Sequence, residues 1–104
     1  MKKKKYIDWA KKYAKIVVDS GIRVKMMYIF GSRARGGGYK YSDLDISVVS
    51  PDFGKDRLSE RVRLMGLTRK VSLLIEPHPF SVEDFGDKCN LLAEEIKRTG
   101  IRVI

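Results

Sequence analysis

Residues 43–49 read DLDISVV, and no other segment restricts the chain so strongly. Its β-branched content favours a strand, and a strand's period of two predicts Leu44, Ile46 and Val48 pointing into a core, with Asp43, Asp45 and Ser47 on the opposite face. Two carboxylates held side by side raise each other's proton affinity and oppose folding unless a cation lies between them. A divalent metal is the simplest remedy. All-oxygen ligation favours Mg2+ or Mn2+ over Zn2+, and Mg2+ typically combines one or two carboxylates with substrate phosphates.

The residues just upstream offer a place for such phosphates. Val24 to Phe30 (VKMMYIF) is a nearly continuous apolar run of strand length, as expected for a strand covered on both faces, and it ends at Gly31. Gly31 lets backbone amides come close to a phosphate, and the Ser32 hydroxyl can donate another hydrogen bond. Arg33, Arg35 and Lys40 supply countercharge, although a solvated loop accounts equally well for the two arginines. Gly31 and Gly36 have the GxxxxG spacing of a P-loop, but Gly37 and Gly38 stand where that motif requires Lys and Ser or Thr. A single RGGG between two strands is not an arginine-glycine RNA-binding tract either.

The rest of the chain supports a small α/β unit. Tyr6, Trp9, Ala10, Tyr13, Ala14, Val17 and Val18 form a helical stripe over residues 6–20, closed by Gly21 as a C-terminal cap. A weaker helix is expected over 56–67, interrupted at Gly66. Val71 to Ile75 (VSLLI) predicts a third strand that Pro77 and Pro79 terminate. Ser81 then opens a helix running towards Gly100 through a capping-box pattern, SVED, and IRVI closes the chain as a short edge strand or tail. His78, between the two prolines, reads as a loop histidine, and Cys89 as a buried or half-buried helix residue without supported reactivity.

A chain of 104 residues has room for one core, and the single cysteine excludes an internal disulfide and a zinc cluster of thiolates. The basic start MKKKKYIDWAKK is followed by Asp8, Lys11, Lys12 and Lys15 instead of an apolar h-region, and no run reaches membrane-spanning length, so a cytoplasmic protein without membrane attachment is expected. The net charge of +9 is uneven: residues 1–40 carry twelve Lys and Arg against two acids, the remainder ten against eleven. Such an excess favours polyanionic partners, be they nucleotide phosphates, nucleic acid or an acidic protein surface. For Lys2 to Lys5 a solubilising tail is the simpler reading.

The succession GSRARG then SDLD resembles the signature of the nucleotidyltransferase superfamily that includes DNA polymerase beta, kanamycin nucleotidyltransferase and the minimal nucleotidyltransferases of prokaryotes. Gly31, Ser32 and Gly36 fit its GS element and following glycine; Ser42, Asp43, Leu44 and Asp45 fit its SDxD element. The resemblance implies a single minimal domain over residues 1–104, with 1–5 as a basic tail. It would have a mixed three- to four-stranded sheet with helices packed on it.

It further implies two-metal nucleotidyl transfer from an NTP, with ATP as the expected donor and two Mg2+ ions, or Mn2+, held by Asp43 and Asp45. Gly31 and Ser32 would hold the triphosphate, with Arg33, Arg35, Gly36 and Ser42 completing the nucleotide site. Glu76, at the end of VSLLIE, is the candidate third catalytic and metal-binding carboxylate; a structural Glu76 paired with an arginine is the alternative. Related minimal nucleotidyltransferases act as antitoxins of helical HEPN-type toxins, which makes such a protein the expected partner; a homo-oligomer is left open. Two other readings stand beside transfer: a catalytically weak nucleotide- or partner-binding protein, and a nucleic-acid-binding module. The last is not favoured, because no nucleic-acid motif accompanies the charge and the aspartates would repel phosphate without metal.

Overall fold

The alternation in residues 43–49 sorts one sheet into two unlike faces. A computed structural model describes residues 2–31, 34 and 43–104. Its elements are α1 (Lys2–Asp19), β1 (Met26–Phe30), β2 (Leu44–Val49), α2 (Arg57–Leu67), a 3-10 turn (Thr68–Lys70), β3 (Ile75–Phe80), α3 (Val82–Gly86), α4 (Leu91–Thr99) and β4 (Ile101–Arg102). The strands form one sheet in the order β3-β2-β1-β4. It is mixed: β2 runs parallel to β3, and β1 is antiparallel to both β2 and β4.

One face is dry. Met27, Ile29, Leu44, Ile46, Val48 and Ile75 pack with Ala10, Tyr13, Ala14 and Val17 of α1 and Leu64 of α2 in the larger core. The apolar stripe expected in the first helix is therefore its core-facing side, and Gly21, at φ 98°, ends that helix in the left-handed region open to glycine. The helix starts at Lys2, so the lysines expected as a tail form its first turn. Tyr13 is fully buried, yet its hydroxyl donates to the Leu64 carbonyl at 2.8 Å, joining α1 to α2. Burial pushes the Tyr13 phenol well above its ordinary range, so it stays neutral.

The other face is covered only in part. Tyr28, Phe30, Val49 and Phe80 pack with Phe85 of α3 and Ala93 and Ile96 of α4. The helix expected from Ser81 to Gly100 is in fact two. Ser81 caps α3 by accepting from the Asp84 N–H, as anticipated, but Asn90 caps a second helix by accepting from the Ala93 N–H at 3.1 Å. Cys89 lies in the break between them and is exposed, not buried as its sequence context suggested.

The largest departure concerns β3. Residues 71–74 are turns, not strand, and the strand runs Ile75–Phe80 through both prolines. The Leu74 and Phe80 carbonyls accept from Leu44 and Ser50 of the β2 side. Alternation then turns the backbone of Glu76 and His78 towards β2, and that of Pro77 and Pro79 outwards at the sheet edge, where a missing N–H breaks no ladder bond. Gly66 likewise sits inside α2 without interrupting it. No described helix is long and apolar enough to cross a membrane.

The buried Tyr13 bond gives a stability test. Tyr13→Phe should cost about 1 kcal/mol in denaturant unfolding, the net value of one internal hydrogen bond. Tyr13→Ala, which also empties the core, should cost about 3–5 kcal/mol.

Candidate active site

Strand register arranges the partly covered face in rows. Phe30, Asp45 and Glu76 are paired neighbours across β1, β2 and β3; Tyr28, Ser47 and His78 form the next row, and Met26, Val49 and Phe80 the third. The apolar third row lies under α3 and α4, and the polar side chains collect at the opposite end. Asp45 and Glu76 thus stand side by side because β2 and β3 are parallel and in register. His78 Nε2 lies 3.1 Å from Asp45 Oδ1, across the diagonal between two rows. The imidazole meets Phe30 edge-on, with ring centroids 5.0 Å apart.

Arg61, on α2, donates from Nη2 to Glu76 Oε1 at 3.0 Å. The Glu76 carboxyl is nevertheless held above its ordinary value. The main cause is a side-chain hydrogen bond with Asp43, followed by partial burial and the negative charges of Asp43 and Asp45, with His78 opposing. The Arg61 pair is too open to solvent to reverse that direction, both side chains being at least 30% exposed. The cluster therefore combines a hydrogen-bonded carboxyl pair with a smaller like-charge strain. One donor atom each from Asp45, Glu76 and His78 lies within 4.8 Å of the others, a spacing that suits one metal ion, and Asp43 joins them through Glu76.

Gly31 closes the end of this row. Its φ is 76°, and a Cβ built there would stand 2.7 Å from Asp45 Oδ2. Both the left-handed backbone and the contact with the carboxylate therefore require glycine. Hollows open on either side of the cluster. One of about 180 Å³ lies between Phe30 with Gly31 and the α4 residues Leu92, Glu95, Ile96 and Thr99. The other, about 290 Å³, is lined by Arg57, Leu58, Arg61, His78, Phe80 and Leu92 among others.

Of the residues singled out from sequence, Gly31, Asp43, Asp45 and Glu76 meet at this end of the sheet. Asp43 precedes β2 and is exposed, whereas Asp45 lies within it. Ser32, Arg33, Arg35, Gly36, Lys40 and Ser42 lie outside the described residues. The arginine partner offered as an alternative role for Glu76 is present as Arg61, alongside the aspartate neighbours. His78 was not expected here. Its signal was available as the i+2 spacing from Glu76, but reading the prolines as terminators removed the strand that makes this spacing meaningful. Nothing in sequence marks Arg61, whose approach depends on how α2 crosses the sheet.

The family model for the nucleotidyltransferase domain matches residues 10–102. No curated protein matches the sequence significantly. Among solved structures, a Sulfolobus solfataricus protein assigned as a nucleotidyltransferase superposes with a TM-score of 0.63 at 24% identity, covering 80% of this chain and 73% of that one. A toxin–antitoxin structure with AMP-PNP gives a TM-score of 0.61 at 18% identity, covering 90% of this chain and 72% of the other. A variant of the MntA–HpeT toxin–antitoxin gives 0.59 at 17%, covering 89% and 70%. At these identities the likeness is one of fold.

Two predictions follow from the strained cluster. Because the folded state holds the Glu76 proton more tightly than the unfolded chain does, this contribution to stability is present at low pH. It is lost as pH rises from the ordinary value of 4.5 through the raised one. In metal-free buffer, the melting temperature of Glu76→Gln relative to wild type should therefore climb with pH over that interval; a difference independent of pH would contradict the raised carboxyl. Gly31→Ala should destabilise the protein by about 1–3 kcal/mol in urea unfolding, through positive-φ strain and displacement of Asp45.

Proposed function

Since the chain belongs to the nucleotidyltransferase domain family, we propose that it transfers AMP from ATP to a hydroxyl group of a partner protein. In this reading it serves as the antitoxin of a helical, HEPN-type toxin. The observation that carries the assignment to this end of the sheet is the side-by-side placement of Asp45 and Glu76, closed by Gly31. In the transfer, the acceptor oxygen bonds to the α-phosphorus of ATP, the bond to the β-phosphate side breaks, pyrophosphate leaves and the hydroxyl proton passes to solvent or a carboxylate.

The chain's residues divide this work. Asp43, Asp45 and Glu76 would hold divalent metal, Mg2+ in the simplest case, and the strained carboxylate cluster is a suitable donor set for it. Bound there, the metal would lower the proton affinity of the acceptor hydroxyl and offset charge on the departing phosphate. Gly31, by carrying no side chain, lets the backbone pass against the Asp45 carboxylate without displacing it. Ser32, Arg33, Arg35, Gly36 and Ser42 take the triphosphate in the same reading. Arg61 steadies the Glu76 carboxylate from the α2 side.

Two observations favour a nucleotide and a protein as the reactants. Proteins of the same fold are described as toxin–antitoxin structures, one of them with AMP-PNP. On this chain, Leu58, Val62 and Met65 lie exposed along α2, with Leu73 beside them and Arg61 and Arg69 among them. An exposed apolar surface of that kind marks a protein contact, and Leu58 and Arg61 also line the hollow beside His78.

The test is co-expression with a candidate HEPN-type helical protein from the same genome, followed by intact-mass measurement and labelling with α-32P ATP. The partner should gain the mass of one or more AMP units. Asp45→Asn should lower labelling by about 100-fold or more, at least the upper end of the loss seen when groups supporting a metal site are removed. Stable complex formation without any mass gain would reduce the function to binding.

A further inference from the structure

We propose that His78 is a nitrogen ligand of the ion held at this site, so that Asp45, Glu76 and His78 form a mixed carboxylate–imidazole centre selective for Mn2+ over Mg2+. The inference rests on the proposed function only in placing a divalent ion at the carboxylates. Its first support is distance. An octahedral ion with bonds of about 2.1 Å keeps adjacent donors about 3 Å apart and opposite donors about 4.2 Å apart. His78 Nε2 and Asp45 Oδ1 are separated by 3.1 Å, and the three donors all fall within 4.8 Å. Small side-chain adjustments bring such a set onto one ion.

The imidazole is also held in place before any ion arrives. Its edge-on contact with Phe30 limits the ring, and the flanking Pro77 and Pro79 fix the backbone dihedrals on either side. In the same row stands Ser47, fully buried, whose Oγ has no hydrogen-bond partner among the described residues. A buried hydroxyl normally finds a partner. A metal-bound histidine characteristically passes its second ring N–H to a neighbouring oxygen; Ser47 is the register neighbour of His78, and its hydroxyl is not yet bonded to the ring.

Donor chemistry then separates Mn2+ from Mg2+. Carboxylates alone suit Mg2+, whereas an imidazole nitrogen adds affinity for first-row transition ions and little for Mg2+. His78 is the sole histidine of the chain, so in tag-free protein any imidazole signal at the ion is unambiguous. Metal-stripped full-length protein would be loaded with Mn2+, without nucleotide or partner, and studied by pulsed EPR. Nitrogen hyperfine coupling of imidazole type is expected in wild type and should vanish in His78→Gln. In titrations the same substitution should weaken Mn2+ binding by at least about tenfold and leave Mg2+ binding much less affected.

His78→Asp, an oxygen donor in the same place, should bind Mg2+ better than wild type and show no nitrogen coupling. Absence of coupling in Mn2+-loaded wild type would overturn the inference, and that measurement needs no variant to fold. Equal weakening of Mn2+ and Mg2+ in His78→Gln would also overturn it, by making His78 a positioning residue for Asp45. Either result leaves nucleotidyl transfer intact, while nitrogen coupling in a protein that never labels a partner would sustain the inference and remove the proposed activity.

Discussion

The parallel pairing of β2 with β3 is the constraint on which the site depends. It aligns Asp45 with Glu76 and Ser47 with His78 residue for residue. A shift of one position would turn Glu76 and His78 to the opposite face, into the core occupied by Ile46 and Leu64. Parallel strands need a crossover, and here α2 provides it, bringing Arg61 to Glu76 on the way. One topological feature thus accounts for the carboxylates, the histidine and the neighbouring cation.

Stability and chemistry are kept on separate faces of the same strands. Leu44, Ile46 and Val48 are buried against α1 and α2, while Asp45 and Ser47, between them in sequence, look the other way. The dry face can therefore supply the hydrophobic free energy that offsets like-charge repulsion on the polar one. Tyr13 belongs to the first task and Gly31 to the second. The tyrosine hydroxyl fastens two helices deep in the core, and the glycine removes a side chain that would collide with Asp45.

Much of this was legible in sequence because it rests on local patterns. DLDISVV revealed its two faces through a period of two, and VKMMYIF its burial through a nearly continuous apolar run. The residues that were misread depend on position in the sheet instead. Pro77 and Pro79 are strand breakers in the middle of a sheet and harmless at an edge when they point outwards, and nothing local says that β3 is an edge. That single error moved the third strand upstream and left Glu76 at its end and His78 in a loop. The break before α4 was hidden for a different reason: Asn90 could be a mid-helix polar residue or a cap, and tertiary packing of Phe85 and Ile96 decides for the cap.

The strained site and the sound core are connected through the strands they share. Without a cation, repulsion among Asp43, Asp45 and Glu76 acts at the start of β2 and β3, where the two strands pair. An ion that binds the folded cluster and finds no such cluster in the unfolded chain stabilises the fold by mass action. The site's occupancy and the β2–β3 pairing are then linked, each favouring the other. Arg61 and His78 fit this coupling as partial substitutes, contributing positive charge or a hydrogen bond to carboxylates that would otherwise face one another alone. They lower the cost of holding the carboxylates together, while the hydrogen bond with Asp43, partial burial and the neighbouring negative charges still leave Glu76 with a raised proton affinity.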